Sequence, residues 1–185
     1  MKEMNRREFL TLTGAAVVAL SLAGCGEPSA PPTPTTSKEA ELVAAINKVW
    51  KKKYEANEVA HEQLTLNQDA VDVISAYGHI CEKANETPHI LTKDDFAMIS
   101  EGSGKFAEKM KNNSLAGMAG VPVPFSGKVI ALEDAYSCED AAVRTFVAKL
   151  LKTSNSTKAE FISFYCPVVQ GKTYMIATVF WNKTA

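Results

Sequence analysis

The chain has 185 residues, of which 46% are hydrophobic, and its 20 Lys and Arg residues nearly balance its 21 Asp and Glu residues. This length is typical of one domain with a short appendage. The near-neutral charge gives no reason to expect a nucleic-acid partner. The sequence contains no phosphate-loop, Gly-x-Ser-x-Gly or His-Glu-x-x-His pattern, so it predicts no cofactor and no common type of active site.

Residues 1–24 have the features of an export signal with a lipobox. Arg6 and Arg7 resemble a twin-arginine motif, and they precede an apolar run over residues 12–23. That run is shorter than the roughly 20 residues that a single-pass membrane helix, the alternative interpretation, would need. The Leu-Ala-Gly-Cys sequence that ends at Cys25 resembles a bacterial lipobox, which implies a lipid on Cys25. We therefore expect an extracytoplasmic protein, lipid-anchored to the bacterial cell membrane and exported by the twin-arginine or the general secretory route.

Residues 25–36 are rich in proline, and such tracts favour extended conformations that cannot build a core. They predict a tether between the anchor and the folded domain. The remainder, residues 37–185, is long enough for one domain with a sizeable core.

Helical periodicity and capping signals recur along this domain. The first helix is predicted over residues 38–60, with Thr36 as its cap, and the second from Asn67 or Asp69 to Ala84. Thr92 and Asp95 predict the start of a third helix, which Gly102 and Gly104 should interrupt. Residues 112–127 are expected to form a long surface loop, followed by a short strand over residues 128–132. A further cap, at Ser137 and Asp140, predicts the fourth helix.

The C-terminal stretch, residues 161–181, predicts a hairpin that is broken at Gln170-Gly171-Lys172. In its second half, alternation places Ile176 and Phe180 on one face, and Val179 and Trp181 on the other. Both faces are apolar, so both need a covering layer. We therefore predict an α/β fold: a three-layer α/β/α sandwich with a small, mostly antiparallel sheet.

The remaining cysteines are Cys81, Cys138 and Cys166. Outside the cytoplasm, an odd number of cysteines predicts one disulfide and one free thiol. The sequence does not indicate which two would pair.

Several segments of the domain match, in order, the pattern of one known family. The matching positions are Leu42, Ile46 and Asn47, then Leu64, Asn67 and Ala70, then His89, then residues 127–131 (Gly-Lys-Val-Ile-Ala), then Ala142, Val143 and Phe146, and finally residues 171–180. This pattern resembles that of the CAP superfamily, also called the SCP-like extracellular domain. The resemblance covers almost the whole of residues 37–185 and implies a divergent bacterial member.

The resemblance also implies a cleft, which in the family commonly holds two His and two Glu residues and can bind a divalent metal. Here His89 occupies the first His position, whereas Lys128 stands where the family has its first Glu. No His follows His89, and Lys149, Lys152 or Ser156 falls in the region of the second one. The candidate cleft residues are therefore His89, Lys128 and Ser156, and we expect no metal at this cleft, because a usable site needs about three or four ligands.

Two function classes follow from this pattern. The favoured one is a binding or interaction module of the cell envelope, with a degenerate metal cleft and an unidentified protein, glycan or lipid ligand. The alternative is a metal-dependent or other hydrolase that uses the His89 cleft, and a third possibility is a lipid- or sterol-binding protein with residues 115–125 as a lid. His61 is expected to be solvated, and His79 should not pair with Cys81, because residues two apart on a helix point in different directions.

Overall fold

The computed structural model describes residues 37–112, 115–120, 125–126 and 128–182, with the backbone alone at 115–120 and 125–126. These residues belong to one compact unit, Thr36–Ala185. The helices of the described part of the chain are α1 (Lys38–Glu55), α2 (Val71–Ala84), α3 (Lys93–Asn112) and α4 (Asp140–Leu151), together with 3-10 turns at Gln68–Ala70 and Ser156–Lys158. Among the described helices, none has both the length and the apolar character that crossing a membrane would require.

The strands fall into one main sheet and two small ribbons. They are β1 (Thr65–Leu66), β2 (His89–Ile90), β3 (Leu115–Gly120), β4 (Phe125–Ser126), β5 (Val129–Ile130), β6 (Phe161–Tyr165), β7 (Val168–Val169), β8 (Lys172–Thr173) and β9 (Ile176–Asn182). The main sheet has the order β1-β6-β9-β3, in which only β1 and β6 run parallel. A three-stranded ribbon has the order β2-β5-β4, and β7 pairs with β8.

The predicted C-terminal hairpin is confirmed. Strands β6 and β9 pair from Phe161↔Phe180 to Tyr165↔Ile176, and β7 and β8 continue the same register. The connection between β7 and β8 is a two-residue turn in which Gln170 and Gly171 both have positive φ, of 51° and 75°. This turn geometry matches the right-handed twist of the flanking strands.

Helices cover both faces of the main sheet. Val179 and Ala177 point toward α1 and α4, where they join a cluster that includes Ile46 and Phe146. Phe180 points to the other side, where it packs with Phe106 of α3. The predicted assignment of faces is confirmed, and the fold is an α/β sandwich of three layers with a small, mostly antiparallel sheet.

The first three helices differ from prediction in their limits. The first helix ends at Glu55 and not near residue 60, and it is capped by the hydroxyl of Ser37, which accepts a hydrogen bond from the Ala40 N–H. The second begins later, because Asn67 caps a 3-10 turn that precedes α2. Helix α3 runs through Gly102 and Gly104 without a break. The absence of a Cβ at Gly102 lets α2 approach α3 closely at this point.

The segment over residues 112–127 is not a plain loop. Its residues Leu115–Gly120 form the edge strand β3, which pairs antiparallel with β9, and Phe125–Ser126 pairs with β5. A strand that belongs to the main sheet cannot act as a lid, so the lid prediction fails for its first half. Residues 121–124 lie outside the described part of the chain.

Two predictions about polar and sulfur groups are also wrong. Ser137 does not cap α4, because it lies two residues before the N-cap position, which Glu139 occupies; the Ser137 hydroxyl accepts a hydrogen bond from the Glu139 N–H. No disulfide forms among Cys81, Cys138 and Cys166, which are all free thiols. Cys81 belongs to the buried cluster beneath α2, whereas Cys166 contacts the opposite cluster, so these two thiols lie on different sides of the sheet.

Candidate functional site

The sequence-predicted cleft residue His89 lies in β2, just after α2. Helix α2 ends because Asn85 adopts a left-handed conformation with φ of 51°, which turns the chain back toward the core. Strand β2 then pairs antiparallel with β5, so that His89 lies opposite Ile130. The His89 side chain is only 12% exposed.

Both ring nitrogens of His89 contact carboxylates. Nδ1 lies 2.6 Å from Oε1 of Glu86, and Nε2 lies 3.0 Å from Oδ2 of Asp95. An ionised carboxylate can only accept hydrogen bonds, so this geometry favours the imidazolium form of His89, in which both ring nitrogens are donors. The hydrogen bond to Glu86, followed by that to Asp95, raises the pKa of His89 above its ordinary value, against the opposing effect of burial.

Asp95 connects this histidine to the start of α3. Its Oδ2 atom accepts hydrogen bonds from the Thr92 N–H at 2.7 Å and the Thr92 hydroxyl at 2.8 Å, and the Asp95 N–H returns a bond to that hydroxyl. This is the predicted capping box. Burial acts to raise the pKa of Asp95, but the bonds from the Thr92 N–H, His89 and the Thr92 hydroxyl outweigh it, so that the pKa is lowered.

We call this arrangement the His89 clamp (Glu86, His89, Thr92 and Asp95). It connects β2 to the start of α3. A metal ion binds the lone pair of a neutral imidazole, whereas each nitrogen of His89 lies within hydrogen-bond distance of a carboxylate, which favours the protonated ring. A metal at either nitrogen would also find one carboxylate beside it, short of the usual three or four ligands. Within the described residues, no group of three or more His, Cys, Asp or Glu side chains could hold a metal ion.

The other predicted cleft residues have different positions. Lys128 immediately precedes β5, and its carbonyl accepts a hydrogen bond of 2.7 Å from the Leu91 N–H, so its backbone belongs to the same ribbon as His89. Its side chain is exposed. Ser156 is fully buried, and its hydroxyl donates to the carbonyl of Thr153 at 2.8 Å. Ser156 therefore stabilises the turn after α4 and lines no surface cleft, which corrects the prediction.

Three further predicted residues fall outside this description. Cys25, Arg6 and Arg7 belong to the N-terminal segment, which lies outside the described residues. Of the other imidazoles, His61 is exposed, as predicted. His79 contacts Glu82 and Tyr165.

A second polar cluster was not predicted and consists of His79, Glu82 and Tyr165. The Tyr165 hydroxyl donates to Oε2 of Glu82 at 2.7 Å and lies 2.8 Å from Nδ1 of His79, which itself lies 3.1 Å from the same oxygen. The tyrosine ring can reach this place because Gly78 has no side chain; a Cβ at that position would collide with the ring. Burial raises the pKa of Tyr165, and the hydrogen bond to Glu82 raises it further.

Glu82 is the acceptor that joins this cluster to the C-terminal hairpin. Besides Tyr165, it receives a hydrogen bond of 2.9 Å from the Val168 N–H. Burial acts to raise the pKa of Glu82, but the bonds from Tyr165, the Val168 N–H and His79 prevail, and the pKa is lowered. In the neutral form of the His79 ring, the charged carboxylate favours the tautomer with the proton on Nδ1 and the lone pair on Nε2.

His79 also lines an open groove between α2 and α3, with a volume of about 280 Å³. We call it the α2–α3 groove. Its lining residues are Asp72, Ser75, Ala76, His79, Met98, Glu101, Gly102 and Lys105.

Comparison of the chain with protein-family models, with curated proteins and with solved structures finds no match.

Only one contact of the second cluster, the one between His79 and Glu82, could have been inferred from the sequence. His79 and Glu82 are three residues apart on a predicted helix, so their proximity could have been inferred. Tyr165 is 86 residues away from His79 in the sequence, and the two residues meet because the sheet packs against α2. No local pattern indicates that contact.

Proposed function

We propose that this protein is a membrane-anchored, extracytoplasmic binding module with a CAP-like domain whose metal cleft is degenerate. The lipobox at Cys25 and the proline-rich segment that follows it support the anchor and the tether. The order of elements, in which helices precede and interrupt a small sheet that ends in an antiparallel hairpin, is compatible with the CAP-like assignment.

The His89 clamp is the observation that supports a loss of metal binding at the cleft. In this interpretation His89 keeps its place in the fold but serves to fix the ribbon to the start of α3 through Asp95. Lys128 adds a cation near the same ribbon, and a protonated Lys offers donors but no lone pair for a metal. These features favour a binding module over the alternative, a hydrolase at the His89 cleft.

Calorimetric titration with zinc tests this assignment. The fragment of residues 37–185 should show no saturable binding at micromolar zinc. Saturable one-to-one binding that His89→Ala abolishes and His61→Ala preserves would refute the degenerate cleft and would favour the hydrolase. The matched control is His61, which is exposed and remote from the clamp residues in sequence.

Metabolic labelling with palmitate tests the anchor separately. The wild-type chain should incorporate label and fractionate with membranes, and Cys25→Ala should do neither. If the wild-type chain is never labelled, the lipoprotein assignment is wrong, whatever the result with zinc.

A further inference from the structure

We propose that the α2–α3 groove binds a neutral saccharide ring, with His79 as the principal hydrogen-bonding residue. This inference rests on the proposed function, because it names the ligand class of the binding module. It uses residues that the CAP resemblance did not select, since that resemblance selected only His89, Lys128 and Ser156.

The orientation of His79 leaves its Nε2 atom available to a ligand. Its Nδ1 atom is held by Glu82 and Tyr165, at 3.1 and 2.8 Å. Among the described residues, Nε2 has no hydrogen-bond partner, and the side chain is 55% exposed. A histidine whose Nδ1–H is fixed by a carboxylate presents a defined lone pair at Nε2, which can accept a hydrogen bond from a ligand hydroxyl.

The carboxylates that line the groove are paired with lysines. Asp72 forms an ion pair with Lys109 of α3, and Glu101 forms one with Lys105 at 2.7 Å. Each carboxylate in the lining therefore has a cation beside it, and the groove has no large net charge. Such a surface does not select a strongly charged ligand. It offers acceptors and donors side by side, which suits hydroxyl groups, since each of them can both donate and accept.

The groove is small, and part of its lining is apolar. Ala76 and Met98 contribute apolar surface beside the polar residues. The volume of about 280 Å³ is slightly below the roughly 300–1,000 Å³ that is common for small-molecule sites. This space suits one sugar ring, whose hydroxyls are polar and whose C–H face is apolar. It is too small and too open for the acyl chain of a lipid.

Methyl NMR of the full chain in a detergent without a sugar headgroup tests the proposal. Methionine methyl groups are labelled, and Met98 is assigned by Met98→Leu, because it lines the groove. The probes are N-acetylglucosamine and its β-1,4-linked tetramer. We expect a saturable shift of the Met98 signal with a Kd on the order of 1 mM, the range expected of a ligand with so few atoms.

Three variants identify the residues responsible. His79→Gln should weaken binding about fivefold to tenfold, because one hydrogen bond to the ligand is lost. Tyr165→Phe should weaken it by a smaller factor, about threefold, since Tyr165 positions His79 without touching the sugar. His61→Gln is the matched control and should leave the affinity unchanged. Thermal unfolding of each variant separates a loss of binding from a loss of folded protein.

The outcomes separate this proposal from the proposed function. Failure of both probes to shift Met98 saturably would overturn it, as would binding that His79→Gln leaves unchanged. Tighter binding of the tetramer would identify a glycan chain as the source of the sugar, and equal binding would identify a free sugar; both results support the groove. Binding without palmitate labelling would retain the groove and reject the anchor, whereas labelling without binding would do the reverse.

Discussion

Substitution of Gly102 by Ala tests the packing of α2 against α3. A Cβ at this position would approach the carbonyl oxygen of Asp72 to less than 3.0 Å, closer than real Cβ atoms come, and would also lie 3.4 Å from the Ala76 Cβ. The closest atom belongs to the backbone of α2, so it cannot move away by a change of rotamer. Relief requires that the two helices shift apart.

The magnitude follows from two opposing effects. Ala is favoured over Gly in a helix interior by about 1 kcal/mol. Overpacking of a close contact typically costs about 1–3 kcal/mol, and the rigid backbone at Asp72 favours the upper end of that range. Gly102→Ala should therefore lower the free energy of unfolding by about 2 kcal/mol.

Gly104 provides a matched control in the same helix. A Cβ at Gly104 would meet nothing within 4 Å, so Gly104→Ala should raise the free energy of unfolding by about 0.5–1 kcal/mol. The two variants should differ by about 3 kcal/mol in urea denaturation, and their melting temperatures by about 6–12 °C for a domain of this size. If Gly102→Ala is as stable as Gly104→Ala, α2 and α3 do not approach as closely as described.

Three further predictions concern the core, the His89 clamp and the export signal. Phe180 is fully buried, so Phe180→Ala should cost about 3–5 kcal/mol in urea denaturation, and a cost below about 1 kcal/mol would mean that this face of the sheet is open. The pKa of His89 is raised in the folded state, so its contribution to stability is complete below its ordinary pKa of about 6.5 and is lost as the pH rises through the folded value. Unfolding measured from about pH 6 upward should show this loss in the wild type, a smaller loss in Asp95→Asn, which keeps the Glu86 contact, and no such loss in His89→Gln; an identical pH dependence in all three would refute the clamp. If the paired arginines direct export, replacing Arg6 and Arg7 by Lys should retain the precursor in the cytoplasm, whereas normal export of that variant would indicate the general secretory route.

Local patterns predicted much of the candidate site. Thr92 and Asp95 are three residues apart, and that spacing was sufficient to predict the capping box on which the His89 clamp depends. Glu86 and His89 are also three residues apart. The sequence did not indicate that both carboxylates would face the same ring, because this depends on how β2 leaves α2. The cluster around His79 was not predicted, because Tyr165 is far from His79 in the sequence.

The sequence by itself determined the helical segments and the two apolar faces of the C-terminal hairpin. These features follow from the spacing of side chains along a helix or a strand, which is a property of the local backbone. Tertiary structure decided that Leu115–Gly120 joins the sheet, because its strand partner β9 lies far along the chain. It also decided the role of Gly102, which looks like a helix breaker in isolation and becomes a contact point when α2 packs against it. In each of these cases the stabilising partner lies far away in the chain, so no local pattern could contain it.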